Sequence, residues 1–280
     1  MQHMKNRLFA PSRKMSLLCS LLLLLDAPRT LMAEPTPAAV SAFNAYIRCV
    51  EGRLARQHRS PNTFLAPTPD PNTLDTRLHH GDLILEQITA APNADLSGAL
   101  LHHWRGTAFA HGATPADFER LMRDFNAYPQ HFAPQVLQAR VLAQSADHMQ
   151  ASMRIRQHHV ITVVMDTTYD VTFGHLDVQH GYSISRSNRI SEIDDPGTAS
   201  EHALTPAEEH GFLWRLNTYW SYEQRDGGLY LQIEAVSLTR SIPHGLAWAI
   251  RPYVESIPRE SLEFTLRSAC NALKKVSKHE

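Results

Sequence analysis

An α+β chain, with a curved antiparallel sheet wrapped around a long C-terminal helix, is what the sequence predicts. Three observations carry that expectation. The stretch from His210 to Pro243 alternates: Phe212, Trp214, Leu216, Trp220 and Tyr222 share one parity, while Arg215, Asn217, Ser221 and Glu223 share the other. That is the period of two of a half-buried strand. Upstream, Met149, Ala151, Met153 and Ile155 alternate with Gln150, Ser152, Arg154 and Arg156, and the pattern resumes over Ile161 to Phe173 and Tyr182 to Ile193, as expected of antiparallel strands with one face buried. From Arg259 onward, Leu262, Leu266, Ala269 and Leu273 recur with the spacing of an amphipathic helix.

Taken in order, the chain opens on Lys5, Arg7, Arg13 and Lys14, an apolar run from Met15 to Leu25, and Leu-Met-Ala ending at Ala33. This pattern predicts a secretory signal peptide over residues 1–33, cut between Ala33 and Glu34, and a periplasmic or secreted mature chain. The run is shorter than the roughly 20 residues that span a bilayer. Pro28 and Arg29 in the cleavage region keep a retained anchor open, and Cys19 keeps lipid attachment open. Residues 34–96 read as an extension. Phe43, Ile47, Val50 and Leu54 predict a helix over Ala39 to His58; Pro61, Pro67, Pro69 and Pro71 predict an irregular connector up to Asn72; Leu78 to Ile88 reads as a strand pair about Gly81; Ala91 to Gly98 is a loop.

Residues 97–280 form the main domain. Its first strand starts near Ala99 and ends before Gly112. Thr114, Pro115 and Asp117 then supply a capping hydroxyl, a proline where no donor is needed and a carboxylate in the first turn of a helix. Tyr128 and Pro129 end it, the strands follow, and after Pro243 the chain turns helical again, interrupted at Pro252 and Pro258. This order suggests a helix-grip arrangement, in which the space between sheet and closing helix is filled by side chains or left as a cavity.

The segments FERLMRDFNAYPQHFAP, HHVITVVMDTTYDV, HGFLWRLNTYWSYEQRDGGLYLQIEAVSLTRSIP and SIPRESLEFTL, within Ser97 to Leu273, resemble the START-like (SRPBCC) superfamily of polyketide cyclases, coenzyme Q-binding proteins and lipid-transfer domains, in an exported bacterial branch. By analogy the resemblance implies a helix-grip fold and a cavity. Shape rather than motif is shared across that superfamily, so it designates no site residue here.

Lys plus Arg number 27 against 28 Asp plus Glu, which argues against a nucleic-acid partner. Cys49 and Cys270 remain after processing; an oxidising compartment lets them form a disulfide if the fold brings them together, and otherwise they are two buried thiols. Histidine pairs at His79 and His80, His102 and His103, and His158 and His159 suggest a metal. Neighbours on a strand point to opposite faces, however, and neither a His-Glu-x-x-His motif nor a ligand-spaced cysteine set is present, so no metal site is assigned.

For the hairpin, a two-residue turn at Asp226 and Gly227 sets Arg225 opposite Gly228 and Tyr219 opposite Glu234. One face then collects Trp214, Leu216, Trp220, Leu229, Leu231, Ile233 and Ala235, and is expected on the closing helix. Arg215, Asn217, Tyr219, Glu234 and Arg240 gather on the other. They are either a wetted face or the polar end of a cavity that orients a ligand head, with Trp248 and Tyr253 as lid or wall. Gly-x-Ser-x-Gly, phosphate-loop, dinucleotide and Cys-x-x-Cys signatures are missing, so no catalytic residue is assigned and no cofactor is expected. His102, Asp166, Tyr219 and Glu234 are the groups a scattered acid–base site would draw on. The leading expectation is an exported protein that sequesters or transports a hydrophobic small molecule (lipid, quinone or polyketide-like), with membrane contact left open. The alternatives are a cyclase- or hydrolase-type enzyme using the same pocket, and an envelope protein–protein interaction module docking through the helix at Ala39 to His58.

Overall fold

The computed structural model describes residues 34–67, 71–88, 96, 98–158, 161–241 and 247–276, without the side chains of 71–74, 247–255 and 275–276. The signal-peptide region and its cleavage site lie outside the described residues. Helix α1 runs Pro37–Gln57, its N-terminus capped by the Thr36 hydroxyl, which accepts from the Ala39 amide at 3.1 Å. Ala39, Phe43, Ile47, Val50 and Leu54 form its buried stripe. The connector takes a helical turn at Pro61–Thr63, and then α2 spans Pro71–His79.

Here two expectations are corrected. Pro71 does not prolong the irregular connector but starts a helix, where its missing donor is not needed. Residues up to His79 are therefore helical rather than the first arm of a strand pair, and Gly81, at φ +92°, closes the helix with its amide on the Leu78 carbonyl. Only β1, Ile84–Gln87, is extended.

Strand β2 covers Ala99–His111, and α3, Pro115–Arg123, begins with a capping box in which Thr114 and Asp117 exchange side-chain and backbone bonds. A single turn, α4, Tyr128–His131, precedes the strands β3 Val136–Gln144, β4 His148–His158, β5 Thr162–His175, β6 His180–Asp194, β7 His202–Ala203, β8 Arg215–Arg225 and β9 Gly228–Arg240. Among the described residues these nine strands make one curved antiparallel sheet, in the order β1-β2-β9-β8-β6-β5-β4-β3 with β7 beside β6. The β8–β9 turn has Asp226 and Gly227 at φ 56° and 76°, the conformation of a type I′ turn. Arg225 therefore faces Gly228 and Tyr219 faces Glu234, as the sequence predicts.

The closing helix α5 spans Ala247–Val276. It is continuous through Pro252 and Pro258, against the expectation that they interrupt it. Each proline removes a donor and crowds the turn before it, but beyond both of them Leu262, Leu266, Ala269 and Leu273 are buried on the sheet and hold the helix in place. Contact is close at Gly106, where a Cβ would run into the Leu266 side chain. On its other flank α5 meets β4, where the Gln157 amide donates to the Ser261 hydroxyl at 3.2 Å. The helix-grip architecture follows from these contacts. Among the described residues, no helix is long and apolar enough to cross a membrane.

Cys49 and Cys270 are free thiols rather than a disulfide, because α1 and α5 pack against opposite faces of the sheet. Cys49 is exposed, while burial pushes the pKa of the Cys270 thiol up to about 11. An alkylating thiol reagent at mildly alkaline pH is expected to label one mature-chain cysteine in the folded protein and two in denaturant, read by intact mass.

Candidate functional site

Strand parity divides the sheet into two faces with different chemistry. On the concave face, β2 places Ala110, Ala108, Gly106 and Trp104 beside Leu229, Leu231, Ile233 and Ala235 of β9, and Trp220 and Tyr222 of β8 continue the row. One end of this face is filled. Phe118 of α3 is fully buried and packs edge-on against Trp220 and Tyr222, with both ring centroids at 5.0 Å, and Leu262 to Leu273 of α5 cover Gly106 and its neighbours.

Towards the other end, the described side chains are less buried. Trp104, Ala235, Met153, Ile155, Ala139 and Val141 are only partly buried against the core. Between these walls Thr218, Ser185 and Ser187 are half-buried, and Thr167 is buried with its hydroxyl donating to the Met153 carbonyl at 2.9 Å. Two polar groups at this end are shielded from water without a good partner. Among the described residues the Trp104 indole N–H has no acceptor, and the Tyr169 hydroxyl makes no well-formed hydrogen bond although Thr167 lies beside it. This strip, apolar at its walls and hydroxyl-bearing along its floor, is the candidate site.

The convex face carries the polar set expected from the hairpin, but α1 lies over it. Phe43, Ile47, Val50 and Leu54 pack on Trp214, Tyr219, Val236 and Leu238. Glu234, 2% exposed, is bonded by Arg53 from α1 and by His103 Nε2 at 2.9 Å, with Arg105 Nε at 3.3 Å. Tyr46 closes the chain with its hydroxyl 2.8 Å from His103 Nδ1. Burial by itself would raise the pKa of Glu234; the bonds from His103 and Arg53 outweigh it and bring the carboxyl down to about 2. Next to it, the Tyr219 hydroxyl donates to Glu51 at 3.2 Å and accepts from Asn217 at 3.1 Å, and Arg186 pairs with Glu51 at 2.7 Å.

Of the residues expected at the polar end of a cavity, the structure therefore unites Asn217, Tyr219 and Glu234 beneath α1, on the face away from α5. Arg215 spends a guanidinium N–H on the Trp214 carbonyl at 2.8 Å, and Arg240 reaches the His210 carbonyl at 3.4 Å. Trp248 and Tyr253 lie on α5, but their side chains fall outside the described residues. Nor do the groups for a scattered acid–base site converge. Asp166 is clamped by Arg154 through bonds of 2.7 and 2.8 Å on the convex side, together with Tyr219 and Glu234, whereas His102 shares the parity of Trp104 on the concave side. Burial lowers the pKa of His102 to about 4, leaving it neutral at pH 7, and its Nε2 lies 3.3 Å from the Thr239 hydroxyl. Sequence reasoning missed Trp104, Tyr169 and the Ser185, Ser187 and Thr218 floor. Their parity is visible in the strand patterns, but small hydroxyl residues on a strand look the same whether they face water or a palm.

No family model matches the chain, and no curated protein is similar to it. Among solved structures it is similar to TTHA0849 from Thermus thermophilus (13% identity, 62% of this chain and 97% of that one, TM-score 0.45). It is also similar to a STAR-related lipid transfer protein fragment from Xanthomonas axonopodis (17%, 68% and 98%, 0.42) and to the Zhui aromatase/cyclase from Streptomyces sp. R1128 (11%, 62% and 94%, 0.42). The likeness is one of fold, and identities at this level say nothing about a ligand.

Proposed function

We propose that this protein binds a hydrophobic small molecule on the concave face of its sheet, beneath α5, and serves outside the cytoplasm as a carrier or sequestering protein. One observation carries the reading: among the described residues the buried core gives way along the palm to Trp104, Ala235, Met153 and Ile155, which are only partly buried around a hydroxyl floor. Apolar surface left in contact with water forgoes about 25 cal/mol per Å², so an apolar guest seated there gains what the side chains do not. Lipids, quinones and polyketide-like compounds all fit that description. Placement outside the cytoplasm rests on the basic, apolar, small-residue pattern of residues 1–33.

Native mass spectrometry of the protein purified from its own host is expected to show a non-covalent adduct that organic extraction releases, with Glu34 as the mature N-terminus. A ligand-free spectrum, together with failure of the folded protein to enhance the fluorescence of the neutral dye N-phenyl-1-naphthylamine, would overturn the binding reading. An intact N-terminus in the cytosolic fraction would overturn export alone.

A further inference from the structure

The two unpartnered polar groups at the partly buried end of the palm define what kind of guest it takes. An indole N–H can only donate, and a buried donor without a partner costs on the order of 1–3 kcal/mol, which is why folded proteins rarely retain one. The Trp104 N–H is such a donor. Serine and threonine hydroxyls of the floor both donate and accept, so they tolerate either kind of partner. Across the strands between Trp104 and Tyr169, the concave face carries Ala235, Thr218, Ser185 and Ser187, and Met153 lies on the strand beyond Tyr169; none of them bears a charge.

Among the described residues of the sheet, His102 and Glu192 are the imidazole and carboxylate of the same parity nearby. Each is already engaged: His102 is buried beside Thr239, and the Glu192 carboxylate accepts from the His210, Gly211 and Phe212 amides and from the His210 ring. Arg53, Arg105, Arg154 and Arg186, the cations that would neutralise an anionic head, point to the convex face, where carboxylates hold them. Burying a carboxylate or phosphate against the described palm would thus leave it uncompensated, at several kcal/mol.

Resting on the binding role proposed above, we infer that the guest is an uncharged molecule with a carbonyl or ether oxygen, held by the Trp104 N–H, and that Trp104 sets this preference. Tyr169 lies four strand steps away in the order β2-β9-β8-β6-β5, so it meets a different part of the guest than the oxygen at Trp104.

Displacement of N-phenyl-1-naphthylamine by three probes of equal chain length, a methyl ketone, an alkane and a fatty acid at neutral pH, tests this. The ketone is expected to bind about tenfold more tightly than the alkane, the worth of one hydrogen bond, and the fatty acid more weakly than both. Trp104→Phe keeps an aromatic wall and removes the N–H. It should bring the ketone-to-alkane affinity ratio from about ten down to about one, with circular dichroism showing that the variant is folded. A fatty acid preference, or a ketone advantage that survives Trp104→Phe, would overturn the inference while the binding role stands. Absence of dye binding together with a ligand-free native mass spectrum would remove both.

Discussion

Glu234→Ala is expected to destabilise the folded chain by about 3–5 kcal/mol, because it removes the carboxylate that Arg53, Arg105 and His103 share and leaves them facing one another across the vacated site. Truncating Arg53 should cost less, since its side chain is 35% exposed and can rehydrate while Glu234 keeps its other partners. Equilibrium denaturation in urea measures both as shifts in midpoint at constant slope. The carboxyl also predicts a pH dependence. Its folded pKa, about 2, lies below the ordinary 4.5. A depressed acid stabilises the fold fully above the ordinary value and loses that contribution as pH falls through the folded value. The stake is about 3 kcal/mol at neutral pH. The wild-type protein should therefore lose stability between pH 5 and 2, and Glu234→Gln should be less stable at pH 7 yet show a shallower decline over that window. Equal slopes for the two proteins would mean that other carboxylates carry the acid sensitivity.

That network also marks the boundary of what the sequence discloses. Within the hairpin, side-chain parity and the Asp226-Gly227 turn are local, and both the register and the separation of faces follow from a few adjacent residues, except at Trp214, which precedes β8 and packs beneath α1 rather than on the closing helix as expected. The partners of Glu234 are not local: Arg53 is 181 residues away and His103 is 131. A hairpin with Asn217, Tyr219 and Glu234 on one side has the pattern of a wetted face or of a cavity rim. Only the return of α1 across the sheet makes that face a buried ionic layer. The helical stripe of α1 is legible from Phe43 to Leu54, but nothing in that spacing names the surface it covers. For His102 and His103 alternation alone separates the two, and the structure sends them to opposite faces, whereas His79 ends a helix rather than lying on a strand and His159 lies outside the described residues. Pro71 and Pro258 show a further limit, since one residue type starts a helix, breaks it or is carried within it according to what the neighbouring turns bury.

Phe118→Ala should cost about 3–5 kcal/mol as well, and comparison with Met153→Ala tests whether the palm has two unlike ends. Phe118 is fully enclosed, with Trp220 and Tyr222 edge-on to its ring, on a helix whose start is fixed by the Thr114–Asp117 box. Its surroundings are rigid, so deletion leaves a cavity rather than a collapse, and the loss includes both transfer energy and unfilled volume. Met153 is only partly buried at the looser end, where truncation removes fewer contacts and should cost about 1–2 kcal/mol. For binding, the order should reverse. A guest seated beside Trp104 and Ile155 touches Met153 and not Phe118, so at a temperature where both variants remain folded, Met153→Ala should weaken N-phenyl-1-naphthylamine binding severalfold and Phe118→Ala should leave it nearly unchanged. If instead the dye gains affinity in Phe118→Ala, filling the new hole, while ignoring Met153, then the space that accepts apolar molecules is at the packed end and the guest does not sit beside Trp104.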